Sequence, residues 1–588
     1  MKIKINKGYI YLSILSVLLF VPYLGKIALF DWDEINFAES AREMLVSGNY
    51  STVTVNFQRF WEKPPLCIWM QALSMSIFGV NEFASRFPNA IAGLISVLLM
   101  FHIGKVYYSE RVGYLWVFAF IGSFTPHLYF KSGIIDPWFN LFIFSSVFWL
   151  AKGSLFAGMP RRKKYMVSAF WLGLALLTKG PAAVLIVLLC FLVVFALKRF
   201  KTFFNLYDIL SFTFICILVS FAWYGAETIK NGFWFISQFV VYQIELFTDS
   251  VAGHGQPWYY HPVVLLLGCF PSSVLAMNFF NKNHLSTQKQ KNLQLWFGVL
   301  FFVVLILFSM VKTKIIHYSS LCYFPLTFFA ALSIDRMLQK EKPFPKPLLG
   351  LFILIGLIMG AAFAVVPFFA INLDLNQWLI SKLKDPFAVA NLERMVHWGG
   401  YEFWFGILFL VGLIIAGALL LLKKYKSSFL VITVSVIVLM QGFMLFVLPK
   451  VANHSQGALI EFLEDIGEKD AYVETLGFKS YAQYFYAKAK PDYLTNANYI
   501  QYRKENTERL KDVPSRDFEG RMFRDWLSWG KTDKDVYFVS KIQHAQEFLN
   551  VLPIEELYRE GGYVFFKRVS SPTEQAGYQL PYYYNLFN

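Results

Sequence analysis

The sequence predicts a polytopic α-helical membrane protein with about thirteen transmembrane helices and a C-terminal soluble α/β domain. Of its 588 residues, 56% are hydrophobic and only 16% are charged, a balance that ordinary soluble proteins do not have. Apolar runs long enough to cross about 30 Å of hydrocarbon recur from residue 9 to residue 448. Beyond residue 448 the composition returns to that of a soluble protein, which predicts a boundary between domains 1–448 and 449–588.

Each predicted span is an apolar run that is bounded by charged residues or by a glycine–proline break. The break Thr178–Pro181 separates the fifth span from the sixth, and without it every later loop would change sides. The predicted spans are 9–30, 83–105, 113–130, 137–156, 165–177, 181–197, 207–224, 261–280, 293–310, 318–337, 348–371, 401–422 and 429–448.

The net charge of +15 is concentrated in every second connection between spans, which indicates topology and not a nucleic-acid site. Because cytoplasmic loops are enriched in lysine and arginine, the N-terminus is predicted to lie inside. The loops 31–82 and 225–260 and the whole segment after residue 448 then lie outside. The clearest basic clusters are 161–164, 198–201, 282–291 and 423–426.

The segment 449–588 is predicted to alternate helices and strands. Helices are expected at 457–466, 480–487 and 544–550, and strands at 471–475, 536–540, 555–558 and 563–567. It has no phosphate-binding glycine loop and no catalytic constellation that its sequence reveals. The chemistry is therefore expected in the loops of the membrane domain.

Unusual polar residues collect on the predicted outer face. Asp33 and Glu34 follow the first span, where charge is costly unless it faces water or a cation. Outer turns also carry lysines, against the positive-inside trend, and these call for an anionic ligand. They are Lys63 beside Glu62, Lys131 before Asp136, Lys179, and Lys312 with Lys314 and His317.

Acids and lysines at one membrane surface suit a substrate that carries a phosphate next to a group to be activated. Lysine is a compact phosphate-binding charge, and a carboxylate can act as a general base or stabilise a developing cation. A lipid linked to phosphate would place its head at this depth and its tail between the helices. This pattern favours an enzyme of lipid-linked substrates.

The motifs resemble those of the GT-C glycosyltransferases that use polyprenyl-phosphate sugars, especially the bacterial lipid A aminoarabinose transferase and its protein O-mannosyltransferase relatives. The resemblance rests on the Asp33–Glu34 pair, the Glu62–Leu66 segment, the outer Asp136 and the Thr178–Pro181 break. It covers the membrane domain well and the C-terminal segment in outline, and it implies a GT-C-like fold.

The resemblance also implies roles for single residues. Asp33 corresponds to the catalytic acid with Glu34 beside it, and Lys63 to the lysine that holds the donor phosphate. Glu62 with His254 resembles a carboxylate–histidine pair that holds a divalent metal, the cofactor that this likeness suggests. The remaining predicted site residues are the phosphate-binding Lys179, Lys314 and Tyr318, together with Arg42 and Asp136.

Each of these residues also has a purely structural interpretation. Asp33 and Glu34 fit a helix cap, and Lys63 before two prolines fits a helix start. Asp136 before Pro137 is a good helix N-terminus. Arg42 can pair with a neighbouring glutamate, and His254 can be an ordinary loop histidine.

The function predicted from these residues is transfer of a sugar from a polyprenyl-phosphate donor to an acceptor at the outer face of the cytoplasmic (inner) membrane, with inversion. The acceptor is lipid A, another glycolipid or a protein, and the partners are membrane lipids and not nucleic acid. A transporter or flippase of a lipid-linked sugar is the alternative, although internal repeats, common in transporters, are absent. A polymerase or ligase of diphosphate-linked glycans would share the lysines but not the two acidic pairs.

Overall fold

A bundle of apolar helices forms most of the computed structural model. The structure describes residues 6–60, 62–154, 159–201, 203–248, 255–279, 287–340, 342–511, 513 and 515–569. Among these residues, seven helices are long and apolar enough to cross a membrane, and three shorter apolar helices accompany them. The structure confirms the polytopic helical fold, while the number of thirteen spans stays a prediction.

Helices of the membrane half pack against partners that are close in the chain: Asp136–Gly153 on Arg161–Lys179, Arg161–Lys179 on Leu206–Asn231, and Lys346–Ile371 on Trp404–Leu421. Polar caps start several of them: Asn81 accepts from the Ala84 amide at 2.9 Å, where the next long helix begins. The helices are α1 (Lys7–Phe20), α2 (Asp33–Ser47), α3 (Leu66–Phe78), α4 (Glu82–Tyr107), α5 (Glu110–Ile121), α6 (Phe124–Tyr129), α7 (Asp136–Gly153), α8 (Arg161–Lys179), α9 (Ala182–Leu197), α10 (Leu206–Asn231), α11 (Trp234–Thr248), α12 (Tyr260–Gly268), α13 (Ser272–Met277), α14 (Gln288–Met310), α15 (Tyr323–Leu338), α16 (Lys346–Ile371), α17 (Leu373–Ile380), α18 (Pro386–Glu393) and α19 (Trp404–Leu421).

The first predicted span, 9–30, is too long. Helix α1 ends at Phe20, and turns follow it, because Pro22 has no amide to continue the helical ladder. The carbonyls exposed by this early end bind Arg86 of α4, which donates to Leu24 O at 2.7 Å and to Ile27 O at 2.6 Å. Arg86 of the second predicted span thus supplies hydrogen bonds to carbonyls that the last turns of the first predicted span would otherwise have satisfied.

Two further predicted spans, 113–130 and 261–280, are broken in the middle. The breaks meet: the Phe124 amide at the start of α6 donates to Phe270 O at 3.3 Å. Ser123 and Ser272 both donate to Ala119 O, at 2.7 and 2.8 Å, which satisfies a carbonyl that the end of α5 leaves open. Breaks at this depth are tolerated because neighbouring side chains and backbone supply the missing hydrogen bonds.

The outer loop 31–82 is folded and not merely a connection. It holds α2, α3 and, between them, a hairpin of two short strands, β1 (Thr54–Val55) and β2 (Gln58–Arg59). Its apolar side chains form one core with the C-terminal segment: Ile35, Phe37 and Ile68 are buried in the same cluster as Leu463 and Phe565. This shared core places the C-terminal segment directly over α2.

The predicted boundary at residue 448 falls inside a helix. The last span runs from Tyr425 to Lys469 without ending, through two wider π turns. It consists of α20 (Tyr425–Gly442), α21 (Leu448–Ala452) and α22 (Ala458–Lys469). A rigid helix therefore connects the membrane to the C-terminal segment, whose status as a separate domain stays a prediction.

A mixed four-stranded sheet organises the C-terminal segment. Its order is β3-β4-β6-β5, with β3 and β4 parallel and the other neighbours antiparallel. The strands start and end within about two residues of the predicted positions. The sequence did not predict the two helices Ala497–Asn506 and Ser515–Trp529. The elements are β3 (Tyr472–Leu476), α23 (Ala482–Tyr486), α24 (Ala497–Asn506), α25 (Ser515–Trp529), β4 (Val536–Lys541), α26 (Ala545–Val551), β5 (Ile554–Glu560) and β6 (Tyr563–Arg568).

Candidate active site

Asp33 is the first residue of α2 and follows a residue with an unusual backbone. Trp32 has φ of 74°, in the left-handed region that a residue with a large side chain rarely adopts. The Asp31 carboxylate holds this turn by accepting from the amides of Trp32 at 2.9 Å and of Tyr481 at 3.1 Å. A contact with the C-terminal segment thus fixes the position of Asp33.

Two carboxylates and two bases from four separate elements form the centre of the site. His317 Nε2 lies 3.4 Å from Asp33 Oδ2 and 3.7 Å from Asp136 Oδ2. Lys179 Nζ donates to the other oxygen of Asp136 at 2.7 Å. Asp136 starts α7 and Lys179 ends α8, so the packing of these two helices creates the ion pair.

The Asp33 carboxylate is held in its ionised form. Burial alone would raise its pKa, but the His317 ring and the charges of Lys63 and Lys179 outweigh burial and hold the pKa well below its usual range. The Asp33 side chain nevertheless keeps 34% of its surface exposed, against 4% for Asp136. Asp33 is therefore the carboxylate that a substrate can reach.

Lys63 and Glu62 meet α11 beside this centre. Lys63 Nζ lies 5.2 Å from the centre of the Tyr242 ring, and the Tyr242 hydroxyl donates to Glu62 Oε2 at 3.3 Å. Burial and the Glu62 carboxylate raise the pKa of Tyr242, so the phenol keeps its proton. Tyr318 lies on the other side, with its ring centre 4.8 Å from Lys179 Nζ.

Lys314 comes three residues before His317 but turns away. Its ammonium is buried and donates to Val311 O at 2.5 Å, on its own segment. Asp33, Lys63, Asp136, Lys179 and Tyr318 are brought together, and Lys314 joins none of them by a described contact. Its predicted role in phosphate binding is left without support from the geometry.

Glu34 lies outside the centre although it follows Asp33 in sequence. Its oxygens accept from Arg86 Nε and Nη2, both at 2.8 Å, from the Phe30 amide at 2.9 Å and from the Gly133 amide at 2.5 Å. These partners, above all Arg86, lower its pKa in spite of burial. A carboxylate with four donors has no capacity left for a substrate, so the structure gives Glu34 a positioning role.

Arg42 also lies in a structural cluster. It forms a two-pronged ion pair with Glu39 at 2.7 Å for both contacts, which confirms the alternative that it pairs with a neighbouring glutamate. It also donates to Ala489 O at 2.7 Å and so connects α2 to the C-terminal segment. Burial and the Glu39 charge raise the pKa of the adjacent Glu43 well above its usual value.

The predicted metal pair is only half described. His254 lies outside the described residues, and Glu62 already accepts a hydrogen bond from Tyr242. Within the described ranges, no three histidine, cysteine, aspartate or glutamate side chains cluster as metal ligands. The metal stays a prediction.

Sequence reasoning missed three residues of the site and its support. His317 lies on a predicted outer turn, and its position next to Tyr318 is the only sequence signal that it faces Asp33. Tyr242 lies in an aromatic segment and carried no signal. Arg86 could have been found, because a lone arginine inside an apolar span requires a buried partner.

The fold and the site define a class: a polytopic membrane protein with an acid–lysine centre at one end of its helices. Residues 62–223 match the family described as dolichyl-phosphate-mannose-protein mannosyltransferase. An undecaprenyl phosphate-α-4-amino-4-deoxy-L-arabinose arabinosyl transferase from Wigglesworthia glossinidia brevipalpis is 27% identical over 450 residues, 72% of this chain and 78% of that protein. One of the Proteus mirabilis enzymes with the same description is 28% identical and covers 53% of this chain and 56% of its own length.

The structural comparison agrees. The crystal structure of ArnT from Cupriavidus metallidurans bound to undecaprenyl phosphate superimposes with a TM-score of 0.71 and 15% identity, covering 97% of this chain and 100% of that one. These findings confirm the predicted GT-C-like fold and the predicted resemblance to the aminoarabinose and protein O-mannosyltransferases. The prediction of a membrane glycosyltransferase is confirmed with it.

Proposed function

We propose that this protein transfers a sugar from a polyprenyl-phosphate donor to a lipid A-type glycolipid at the outer face of the cytoplasmic membrane. The observation that carries the proposal is the centre of Asp33, His317, Asp136 and Lys179, with Lys63 beside it. A relative described as an arabinosyl transferase of an undecaprenyl-phosphate sugar supports the donor class. That description names the donor alone, and the glycolipid acceptor is part of the proposal.

The donor phosphate is assigned to Lys63 and Lys179. Lys179 is held by Asp136, which fixes its ammonium at the place where negative charge grows on the leaving phosphate. The tail would extend between the apolar helices below. Neither lysine needs to move a proton, because phosphate leaves well as an anion.

The reaction that fits is a single displacement. The acceptor oxygen forms a bond to the anomeric carbon as the bond from that carbon to the phosphate oxygen breaks, and the electron pair leaves with polyprenyl phosphate. The configuration at the anomeric carbon inverts. An acceptor hydroxyl gives its proton to Asp33 and from there to solvent, whereas an acceptor phosphate has no proton to give.

A carboxylate with a lowered pKa is a weak base, which restricts what Asp33 can do. It is ionised and faces the reacting carbon, so it stabilises the positive charge that builds up there and orients the acceptor. It takes a proton only late, when the acceptor oxygen has lost most of its basicity. His317 keeps Asp33 in this state by its contact at 3.4 Å.

The test is reconstitution in liposomes with polyprenyl-phosphate sugars and a panel of glycolipid and peptide acceptors. Asp33→Asn is expected to lower the transfer rate about 10²- to 10⁴-fold, because it removes the ionised carboxylate and keeps the size of the side chain. The control is Asp465→Asn, at an exposed acid of the C-terminal segment. Normal transfer by Asp33→Asn contradicts the catalytic assignment, and movement of the lipid-linked sugar without transfer favours the flippase.

A further inference from the structure

A cavity opens beside Glu62, away from the lysines of the proposed phosphate site. It measures about 1000 Å³ and lies between the hairpin of the first outer loop, the start of α11 and the C-terminal segment. The C-terminal segment covers one side of the cavity with residues of the loop after β3 and of α25. The cavity reaches Glu62, whose partner Tyr242 lies against Lys63. It therefore adjoins the catalytic centre.

The lining of this cavity combines aromatic faces with polar side chains of both charges. Trp234 and Tyr481 supply rings, Gln238 supplies an amide, and Arg59 and Lys479 supply cations. In the whole lining, acidic side chains are about as numerous as basic ones. Sugars present hydroxyl groups that suit amides and charged groups, and C–H faces that pack on aromatic rings. Such a lining fits a saccharide better than a hydrocarbon tail or a bare phosphate.

The loop between β3 and α23 connects this cavity to Asp33. Lys479 Nζ lies 5.1 Å from the centre of the Trp32 ring and 5.3 Å from that of Tyr481. The Tyr481 amide donates to Asp31 at 3.1 Å, and its ring meets Trp32 edge-on at 6.1 Å. A ligand that touches this loop therefore also touches the turn that positions the catalytic carboxylate.

We infer that this cavity binds the saccharide headgroup of the acceptor, and that Lys479 and Tyr481 of the C-terminal segment select the acceptor together with Gln238 of α11. The inference rests on the proposed function, since it needs a sugar donor at the opposite side of Glu62. The donor phosphate binds to Lys63 and Lys179 on the membrane side of Glu62. The headgroup of the acceptor enters from the side of the C-terminal segment. Its reacting group then meets the anomeric carbon in front of Asp33.

The experiment measures KM for donor and acceptor separately in the full-length protein, in liposomes, for Gln238→Ala and Lys479→Ala. Each variant is expected to raise the acceptor KM about five- to tenfold, the usual effect of one lost polar contact, and to leave the donor KM unchanged. Lys504→Ala, at an exposed lysine of α24 away from the cavity, is the matched control. It is expected to leave both values unchanged.

Slow hydrolysis of the donor without acceptor serves as a second measurement, because transfer to water does not need the cavity. Normal donor hydrolysis with a raised acceptor KM supports the inference. If the wild type transfers sugar and both variants keep its acceptor KM, the inference is wrong and the proposed function stands. If the donor KM rises instead, the cavity belongs to the donor. A wild type that neither transfers nor hydrolyses any such donor overturns both.

Discussion

Asp33 and Glu34 are neighbours whose carboxylates have different partners. Asp33 faces His317 across 3.4 Å and stays partly exposed, while Glu34 is buried against Arg86. Successive residues of a helix point about 100° apart, so one turns to the site and the other to the protein core. In the proposed function, Asp33 is therefore the catalytic residue of the pair and Glu34 a positioning residue.

The pH dependence of transfer tests the environment of Asp33. Its pKa is held below the ordinary 3.8 by His317, Lys63 and Lys179, so the carboxylate is ionised throughout the usual assay range. His317→Gln removes one of these groups while burial, which raises the pKa, remains. We expect the acid limb of kcat/KM to move to higher pH in this variant.

The control for this experiment is His397→Gln, at an exposed histidine of the loop between α18 and α19. It is expected to keep the profile of the wild type. If the acid limb of His317→Gln is unchanged, His317 does not hold the pKa of Asp33 down.

The lowered pKa of Asp33 in the wild type also affects stability. The ionised carboxylate stabilises the fold above its ordinary pKa, and this contribution is lost as the pH falls toward the lowered pKa of the folded protein.

Among the elements, α2 is held from two sides. Glu34 connects it to Arg86 of α4, and Arg42 connects it to Ala489 of the C-terminal segment. These contacts, with the shared apolar core, fix the helix that begins at Asp33. The stability of α2 and the geometry of the site are therefore coupled.

Arg86→Met is expected to lower the free energy of unfolding by about 3–5 kcal/mol, because it leaves the Glu34 carboxylate buried without a cation. The additional change Glu34→Gln should recover part of this loss by removing the unpaired charge. All five cysteines are buried, so a thiol-reactive dye can follow thermal unfolding in detergent.

Arg559→Met is the matched control, since this arginine pairs with Glu556 on an exposed strand. Exposed pairs contribute little, and its unfolding temperature should stay that of the wild type. If Arg86→Met unfolds at the same temperature, the ion pair does not hold α2.

At the scale of the whole molecule, the continuous helix Tyr425–Lys469 determines on which side the C-terminal segment lies. The predicted topology places that segment outside and the basic loop 161–164 inside. The proposed function needs this orientation, because the proposed transfer takes place at the outer face of the membrane.

Cysteine labelling in intact cells tests the orientation. Lys504→Cys is expected to react with a membrane-impermeant maleimide, and Lys163→Cys only after the membrane is opened, because each position is exposed on its own side. The native cysteines are buried and should stay unreacted in the folded protein. Reaction of Lys163→Cys alone in intact cells would mean that the proposed outer face is cytoplasmic.

The sequence by itself determined the class of protein and most of the helices, because an apolar run that can span a bilayer forms a helix for local reasons. It also identified Asp33, Lys63, Asp136 and Lys179, since charge next to such runs is costly and stands out.

Only the tertiary structure decided which of these groups act together. Whether a carboxylate faces Arg86 or His317 depends on partners some 50 to 280 residues away, which no local pattern contains. The contact of Arg86 with the carbonyls that follow α1, and the pairing of the breaks near Ser123 and Ser272, depend in the same way on distant hydrogen bonds. The cavity over Glu62 exists only because the C-terminal segment packs on α2 and so adjoins a site that begins at residue 33.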